Sequence, residues 1–321
     1  MNTAVNHQHQ AVAEETPGHS FLPYAYLEGR FLPFHEAHIS IATHALHYGT
    51  AVFGGIRGLP APTAPNEILL FRLDAHCRRL SHSAKYLGYS ITPEVLQSTL
   101  IEFVRHNQPS FPFYLRPLIY TSGLGIAPRL HQVEKDLLIY GLPMGNFLST
   151  DGVRCRISSW YRQEDRSQPL RGKASAAYIA SALAKTEAVA SGFDEAIMMN
   201  TQGKVCEASA MNLFIVRNGQ LITPGVDQDI LEGITRDSIL TLARDLGIPV
   251  IERPVDKSEL LIADEVFICG TAAQITPVLS VETYSLPDDR PIATKLYAHL
   301  QAAMEGQDPH YCHWVTKVQL S

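Results

Sequence analysis

Long apolar runs are missing from this sequence of 321 residues. None approaches the roughly 18 apolar residues of a membrane-crossing helix, so no such helix is expected. Cysteine is scarce: Cys77, Cys155, Cys206, Cys269 and Cys312 form an odd set without a CxxC pair. That pattern suits neither a disulfide framework nor a zinc site and points to a reducing, cytoplasmic compartment. Basic residues are outnumbered, 26 Lys and Arg against 32 Asp and Glu, and the net charge of -6 offers no electropositive surface for nucleic acid. Residues 1–20 have neither the basic nor the apolar region of a secretory signal and read as a mobile tail. Neither a fixed-period repeat nor a low-complexity segment beyond that tail is present.

What is there is ordinary globular material. A 45% hydrophobic and 18% charged composition excludes disorder, collagen-like repeats and a coiled-coil rod. At roughly 100–200 residues per domain, the length favours two domains. Tyr24 to Leu32 reads as two short strands about a Glu28-Gly29 turn. Leu59 to Asn66, with Pro60, Pro62 and Pro65, reads as a loop, followed by a strand from Glu67 and a helix over Ala75 to Leu87. Phe113 to Tyr120 and Asp136 to Gly141 are strand-like. The breaker-rich stretch 143–152 is the expected interdomain loop, between a domain over 21–142 and a second over 153–321. Beyond it the pattern predicts a strand over Val153 to Trp160. A helix over Tyr178 to Ser191 follows, with Ile179, Ala182, Leu183, Thr186, Val189 and Ala190 on one face. Hairpins about Thr201 to Lys204 and Asn218-Gly219 come next, then helices over Arg236 to Leu246 and Ile292 to Met304.

Several segments carry potential chemistry. Leu231 to Thr235 runs straight into a helix, and Gly233 lets backbone amides approach an anion, although an ordinary Thr-capped helix start has the same look. Gly270 to Ala273 is a second small-residue turn after a strand, either a donor turn or a tight strand exit. Lys173 lies among small residues between a strand and a helix. It is either a solvated surface group or a partly desolvated amine available as a nucleophile. Glu207, in a small and apolar strand pair, needs a cationic partner if buried. One ligand accounts for all of these together with Arg79: pyridoxal 5′-phosphate, with a phosphate for the turn, an aldehyde for Lys173 and a ring nitrogen for Glu207.

From Tyr24 to near Ala302 the chain resembles the class IV (fold-type IV) aminotransferases, and within them the branched-chain-amino-acid aminotransferases. The matching stretches are His47 to Arg57, Arg78 to Leu80 with Ser83 to Lys85, Tyr114 to Pro117, Lys173 to Tyr178 and Gly192 to Ala196. They continue with Glu207, Asn212 to Phe214, Gly233 to Asp237, Asp264 to Val266 and Gly270 to Ala273. The resemblance implies an α+β fold, with a small α/β N-terminal domain and a larger, strand-rich pseudo-barrel that binds the cofactor. It implies that Lys173 carries the cofactor covalently and that Glu207 bonds its ring nitrogen. Arg79, Ile234, Thr235 and Thr271 then hold the phosphate, Tyr178 meets the phenolic oxygen, and Leu231 packs on the ring. Tyr114 with Thr271, Ala272 and Ala273 would receive the substrate α-carboxylate, and Arg116 the side-chain carboxylate of glutamate. Phe53, Phe147 and Tyr178 would line an apolar pocket that Tyr48 reaches from a neighbouring subunit, making a dimer the smallest complete enzyme. Gly54, Ala177 and Met144 depart from the commonest family residues Glu, Asn and Trp, and the first and last bear on substrate range.

The expected activity is transamination of L-leucine, L-isoleucine and L-valine with 2-oxoglutarate by a ping-pong mechanism. A D-amino-acid transaminase or an aminodeoxychorismate lyase would use the same Lys173 and Glu207, and a non-catalytic phosphate-ligand binder is the alternative from another class. Three other groups are read as structural. His44 and His47, at metal-like spacing, lack an acidic or cysteine partner and read as packed or hydrogen-bonded. Cys206 reads as inert packing. Arg162, Arg166 and Arg171 with Glu164 and Asp165 read most simply as a solvated loop, either away from the site or, since it precedes Lys173, at the edge of its entrance, and without a catalytic role.

Overall fold

The computed structural model describes residues 20–145, 148–149 and 151–320, so residues 1–19 of the expected tail and Phe147 lie outside the described residues. The first part of the chain builds β1 (Tyr24–Leu27), β2 (Arg30–Pro33), α1 (His44–Tyr48), β3 (Ala51–Phe53), β4 (Ile56–Ala61) and β5 (Ala64–Phe71). Then come α2 (Leu73–Ala84), α3 (Pro93–Asn107), β6 (Phe113–Thr121) and β7 (Lys135–Pro143). The second part holds β8 (Val153–Ile157), α4 (Tyr178–Ala190), β9 (Glu195–Met199), β10 (Val205–Ala208), β11 (Asn212–Arg217), β12 (Gln220–Thr223) and α5 (Ile234–Asp245). It continues with β13 (Val250–Glu252), α6 (Lys257–Leu261), β14 (Glu265–Gly270), β15 (Gln274–Val281), β16 (Tyr284–Ser285) and α7 (Pro291–Met304). A final strand, β17 (Val315–Gln319), returns to the first sheet and pairs antiparallel with β5.

Two sheets result. The first is eight-stranded, in the order β17-β5-β4-β6-β7-β1-β2 with β3 also on β6. The second is nine-stranded, β10-β9-β8-β15-β14-β11-β12-β13 with β16 on β15. Each has its own apolar core. Phe103, Phe113 and Leu115 centre the first; Leu213, Ile215 and Ile268 belong to the core of the second. The β1–β2 and β11–β12 hairpins turn at Glu28-Gly29 and Asn218-Gly219, all with positive φ, which matches the right-handed twist of the strands they join.

Three sequence expectations change in the fold. The proline-rich stretch 59–66 is mostly strand: β4 and β5 form a hairpin in which Pro60 pairs with Ile68. On its other side β4 meets β6 only through Ile56, Arg57 and Gly58, so the missing N–H of Pro60 costs the sheet no ladder bond there. The strand from Val153 stops at Ile157. The apolar face expected on α4 points outward. Ile179, Ala182, Leu183, Thr186, Val189 and Ala190 are all at least partly exposed, while the small residues Ser181, Ala184 and Ala188 are buried, with Ala184 and Ala188 packed against Ala196 and Met198 of β9.

Helix α3 has no counterpart in the sequence expectations, although its start carries a clear signal. Thr92 caps it by accepting from the Val95 amide at 3.3 Å, and Pro93 occupies the first turn. It buries Leu96, Leu100, Phe103 and Val104 in the first core. Leu100→Ala should therefore cost about 2–5 kcal/mol of stability, read as a lowered denaturation midpoint; a midpoint equal to wild type would show that α3 does not anchor this core.

Candidate active site

Between the two sheets lies a cavity of about 330 Å³. It brings together Phe53 from β3, Tyr114 and Arg116 from β6, Arg79 from α2, Lys173, and Tyr178 at the start of α4. Glu207 of β10, Leu231, Ile234 and Thr235 at the head of α5, and the turn Thr271, Ala272 and Ala273 complete it. Met144 from the connection between the sheets also lines it.

Lys173 is fixed by its backbone. Its carbonyl accepts from Phe53 N at 3.0 Å, and its own N–H donates to Ser83 Oγ at 3.3 Å. The side chain is thereby committed to the cavity, where Nζ donates to Tyr178 Oη at 2.6 Å. Enclosure, then the Arg79 and Arg116 guanidinium groups, hold the Lys173 amine well below its ordinary pKa. Tyr178 goes the other way: burial first, then the Glu207 charge, push its phenol up.

Glu207 is buried and its carboxyl is pushed above the ordinary range by desolvation, an effect that Arg162 opposes most strongly. Asn212 Nδ2 at 2.9 Å and Leu231 N at 3.2 Å donate to Oε2, and Arg162 Nη2 lies 2.8 Å from Oε1. The cationic partner that a buried Glu207 requires is therefore Arg162. This corrects the solvated-loop expectation: Arg162 is buried and lines the cavity, whereas Arg166 is exposed beside Glu164, and Arg171 pairs with Glu232 near the surface. The only sequence signal for Arg162 was the unmet charge of Glu207, because nothing local distinguishes it from its neighbours.

The far end of the cavity is a donor cradle. No side chain among the described residues caps Gly233, leaving the Ile234 and Thr235 amides available. A Cβ on Gly233 would fall 2.0 Å from Asn212 Oδ1, so this turn requires glycine. Arg79 reaches over the same turn, donating to the Glu232 carbonyl at 3.1 Å. Gly55 serves the opposite wall, where a Cβ would fall 1.9 Å from Tyr114 Oη. Arg116 lies with its guanidinium 4.5 Å from the Phe53 ring centre and donates to Tyr114 Oη at 3.2 Å. No carboxylate among the described residues pairs with it. Arg57, buried beside the Thr271–Ala273 turn, donates to Gly145 O at 3.1 Å and Ala272 O at 3.5 Å, a link the sequence did not reveal.

Other candidates fall elsewhere. Tyr48 is absent from the cavity wall, and its hydroxyl donates to the Ile126 carbonyl. His44 is buried and bonded through Nδ1 to Thr121 Oγ1 at 2.8 Å and through Nε2 to Ala127 O at 2.9 Å, while His47 meets the Ile41 carbonyl. The Cys206 thiol is buried and pushed up in pKa by desolvation. At Gly54 the backbone N–H donates to Pro117 O at 2.8 Å, and a Cβ would come within 2.9 Å of Pro117 Cγ, so a larger residue would press on the strand that carries Arg116.

A lysine amine, a buried carboxylate and an anion cradle around one cavity are the parts of a pyridoxal-phosphate enzyme, and the chain belongs to the class IV amino-transferase family, whose profile matches residues 61–281. A probable branched-chain-amino-acid aminotransferase from Synechocystis is 66% identical over 303 residues, covering 94% of this chain and 99% of that protein. The branched-chain aminotransferase of Thermoproteus uzoniensis, solved with norvaline, superposes with a TM-score of 0.89 at 37% identity, covering 93% of this chain and 100% of that one. The branched-chain amino acid aminotransferase of Thermobaculum terrenum, solved in its PLP-bound holo form, gives a TM-score of 0.87 at 35% identity, covering 94% of this chain and 99% of that one.

The depressed pKa of Lys173 has a stability consequence of definite sign. Below the ordinary lysine value of 10.5, the unfolded chain holds a proton that the folded amine gives up, so the folded, ligand-free protein gains stability as pH rises toward that value. Lys173→Met removes the titration. The ligand-free variant should melt higher than wild type at neutral pH, with the difference shrinking as pH approaches 10.5; a variant that melts lower throughout would refute the depressed amine.

Proposed function

We propose that the protein transaminates L-leucine, L-isoleucine and L-valine with 2-oxoglutarate, using pyridoxal 5′-phosphate in a ping-pong cycle. The observation that carries this reading is that Lys173, Glu207 and the Gly233–Thr235 turn line one cavity together with three arginines, Arg79, Arg116 and Arg162. The residues fit the cofactor: Arg79, the Ile234 and Thr235 amides and Thr271 for its phosphate, Glu207 for its ring nitrogen, Tyr178 for its phenolic oxygen and Leu231 for its face. When bound, the cofactor supplies an electron sink that stabilises negative charge at the substrate Cα.

This chain's residues do the rest. Lys173 Nζ, its proton affinity lowered by burial and the neighbouring arginines, takes the Cα proton as a base and gives it back as an acid before the 2-oxo acid is released. Tyr178 Oη, 2.6 Å from that nitrogen, orients it. Tyr114 and the Thr271–Ala273 turn bind the α-carboxylate. Phe53 and Tyr178, with ring centres 5.0 Å apart, wall an apolar space that rewards an aliphatic side chain by about 1.5–3 kcal/mol. Arg116 serves the second substrate, offering to the side-chain carboxylate of glutamate or 2-oxoglutarate a guanidinium that pairs with no carboxylate among the described residues.

The working unit in this reading is a cytoplasmic homo-oligomer, at least a dimer. Ile41, Leu46, Leu124 and Ile126 are exposed about α1, and Ile179, Leu183 and Val189 are exposed on α4. The two elements approach each other where Gly49, at the end of α1, would place a Cβ 3.2 Å from that of Ala176, just before α4. Apolar surface on this scale needs a partner, and a second copy covering it would bring Tyr48 toward the neighbouring site.

The purified protein should be yellow, and L-leucine alone should remove the visible band while D-alanine leaves it. Bleaching by D-alanine instead would replace this activity with that of a D-amino-acid transaminase, and release of pyruvate from aminodeoxychorismate would make it the lyase. Arg116→Met should raise KM for 2-oxoglutarate by about 10–100-fold, corresponding to about 1.5–3 kcal/mol for a charge-assisted bond, with KM for leucine little changed. Equal losses for both substrates would remove Arg116 from second-carboxylate recognition.

A further inference from the structure

The Glu207 carboxylate does not stand alone at its end of the cavity. We propose that Arg162 is a positioning residue for the reaction, its guanidinium holding Glu207 ionised and aimed inward so that a proton stays on the cofactor's ring nitrogen. This rests on the assignment of Glu207 to that nitrogen and adds the group that makes the assignment work.

The Arg162 and Glu207 side chains are 7% and 6% exposed, at 2.8 Å from each other. Arg162 is built in from several directions: its N–H donates to Met199 O at 2.8 Å, Nε to Asp229 O at 3.3 Å, and Nη1 to Ser181 Oγ at 3.5 Å. Of the three donors on Glu207 among the described residues, Asn212 and the Leu231 amide are neutral, and Arg162 brings the charge. Lys173 and Arg236 also favour the anion from farther off, and Asp229 faces Arg162 from the other side. Without the guanidinium, burial would drive a proton onto Glu207. A neutral acid would then donate to an unprotonated ring nitrogen, the proton having moved from nitrogen to carboxyl oxygen, and the ring would withdraw electrons poorly. Arginine suits the position because its planar fork spans a carboxylate, a carbonyl and a hydroxyl at once.

The test is the ¹⁵N chemical shift of the ring nitrogen in holoenzyme reconstituted with ring-labelled cofactor. Wild type and Arg162→Lys should show a protonated nitrogen, whereas Arg162→Met and Glu207→Gln should show an unprotonated one. Arg162→Met should also lose about 10–100-fold in kcat, the size of loss seen when the group that orients a metal-ligating side chain is removed, with KM for leucine nearly constant. If Arg162→Met is insoluble, Arg162→Gln removes the charge while keeping hydrogen-bonding capacity and gives the same readout. A protonated nitrogen in the neutral Arg162 variants, with Glu207→Gln unprotonated, would overturn the role of Arg162 and leave Glu207 in place. An unprotonated nitrogen in wild type, or a Glu207→Gln signal identical to wild type, would overturn both assignments.

Discussion

Everything at the site depends on how Lys173 is tethered. The residue precedes a helix that packs on the second sheet, yet its carbonyl and amide bond Phe53 and Ser83 of the first part of the chain, and Ala174 bridges to Val52. Backbone bonds of this kind fix both position and direction, leaving the side chain one route, into the gap between the sheets. The gap is thus a consequence of the tether as much as of the two cores, and a movement of one sheet against the other would act first on the amine.

The second governing feature is charge. Arg79, Arg116, Arg162 and Lys173 line the cavity, and among the described residues Glu207 is the one carboxylate lining it. A low-dielectric space with this imbalance favours anions. Burial, and after it the same arginines, lower the affinity of Lys173 for its proton, so anion binding and a weakened hold on the lysine proton come from one arrangement. The cavity trades stability of the ligand-free chain for readiness.

Much of this was legible in the sequence because it resides in short, local patterns. Turn chemistry exposed the hairpins at Glu28-Gly29 and Asn218-Gly219, and residue order singled out Lys173, Glu207 and the two small-residue turns, which all line the cavity. The illegible parts are those set by neighbours distant in the chain. Pro60 could enter a strand because the β6 pairing ends beside it, a fact of the sheet and not of the proline. The apolar periodicity of α4 was real, but it does not say which face meets its own core, and small residues let β9 take the other side. Arg162 and Arg166 sit four residues apart in similar surroundings, and only the tertiary position of Glu207 separates a buried cation from a solvated one.

The return of β17 to the first sheet carries a different lesson, one about time. Val315 to Gln319 pair with Glu67 to Phe71, and the Gln319 side chain bonds the Asn66 carbonyl 253 residues away in the chain. During synthesis, β5 leaves the ribosome long before the strand that covers its edge. The first sheet therefore cannot be completed vectorially, and its open edge must be kept from other strands while the whole second part of the chain is made.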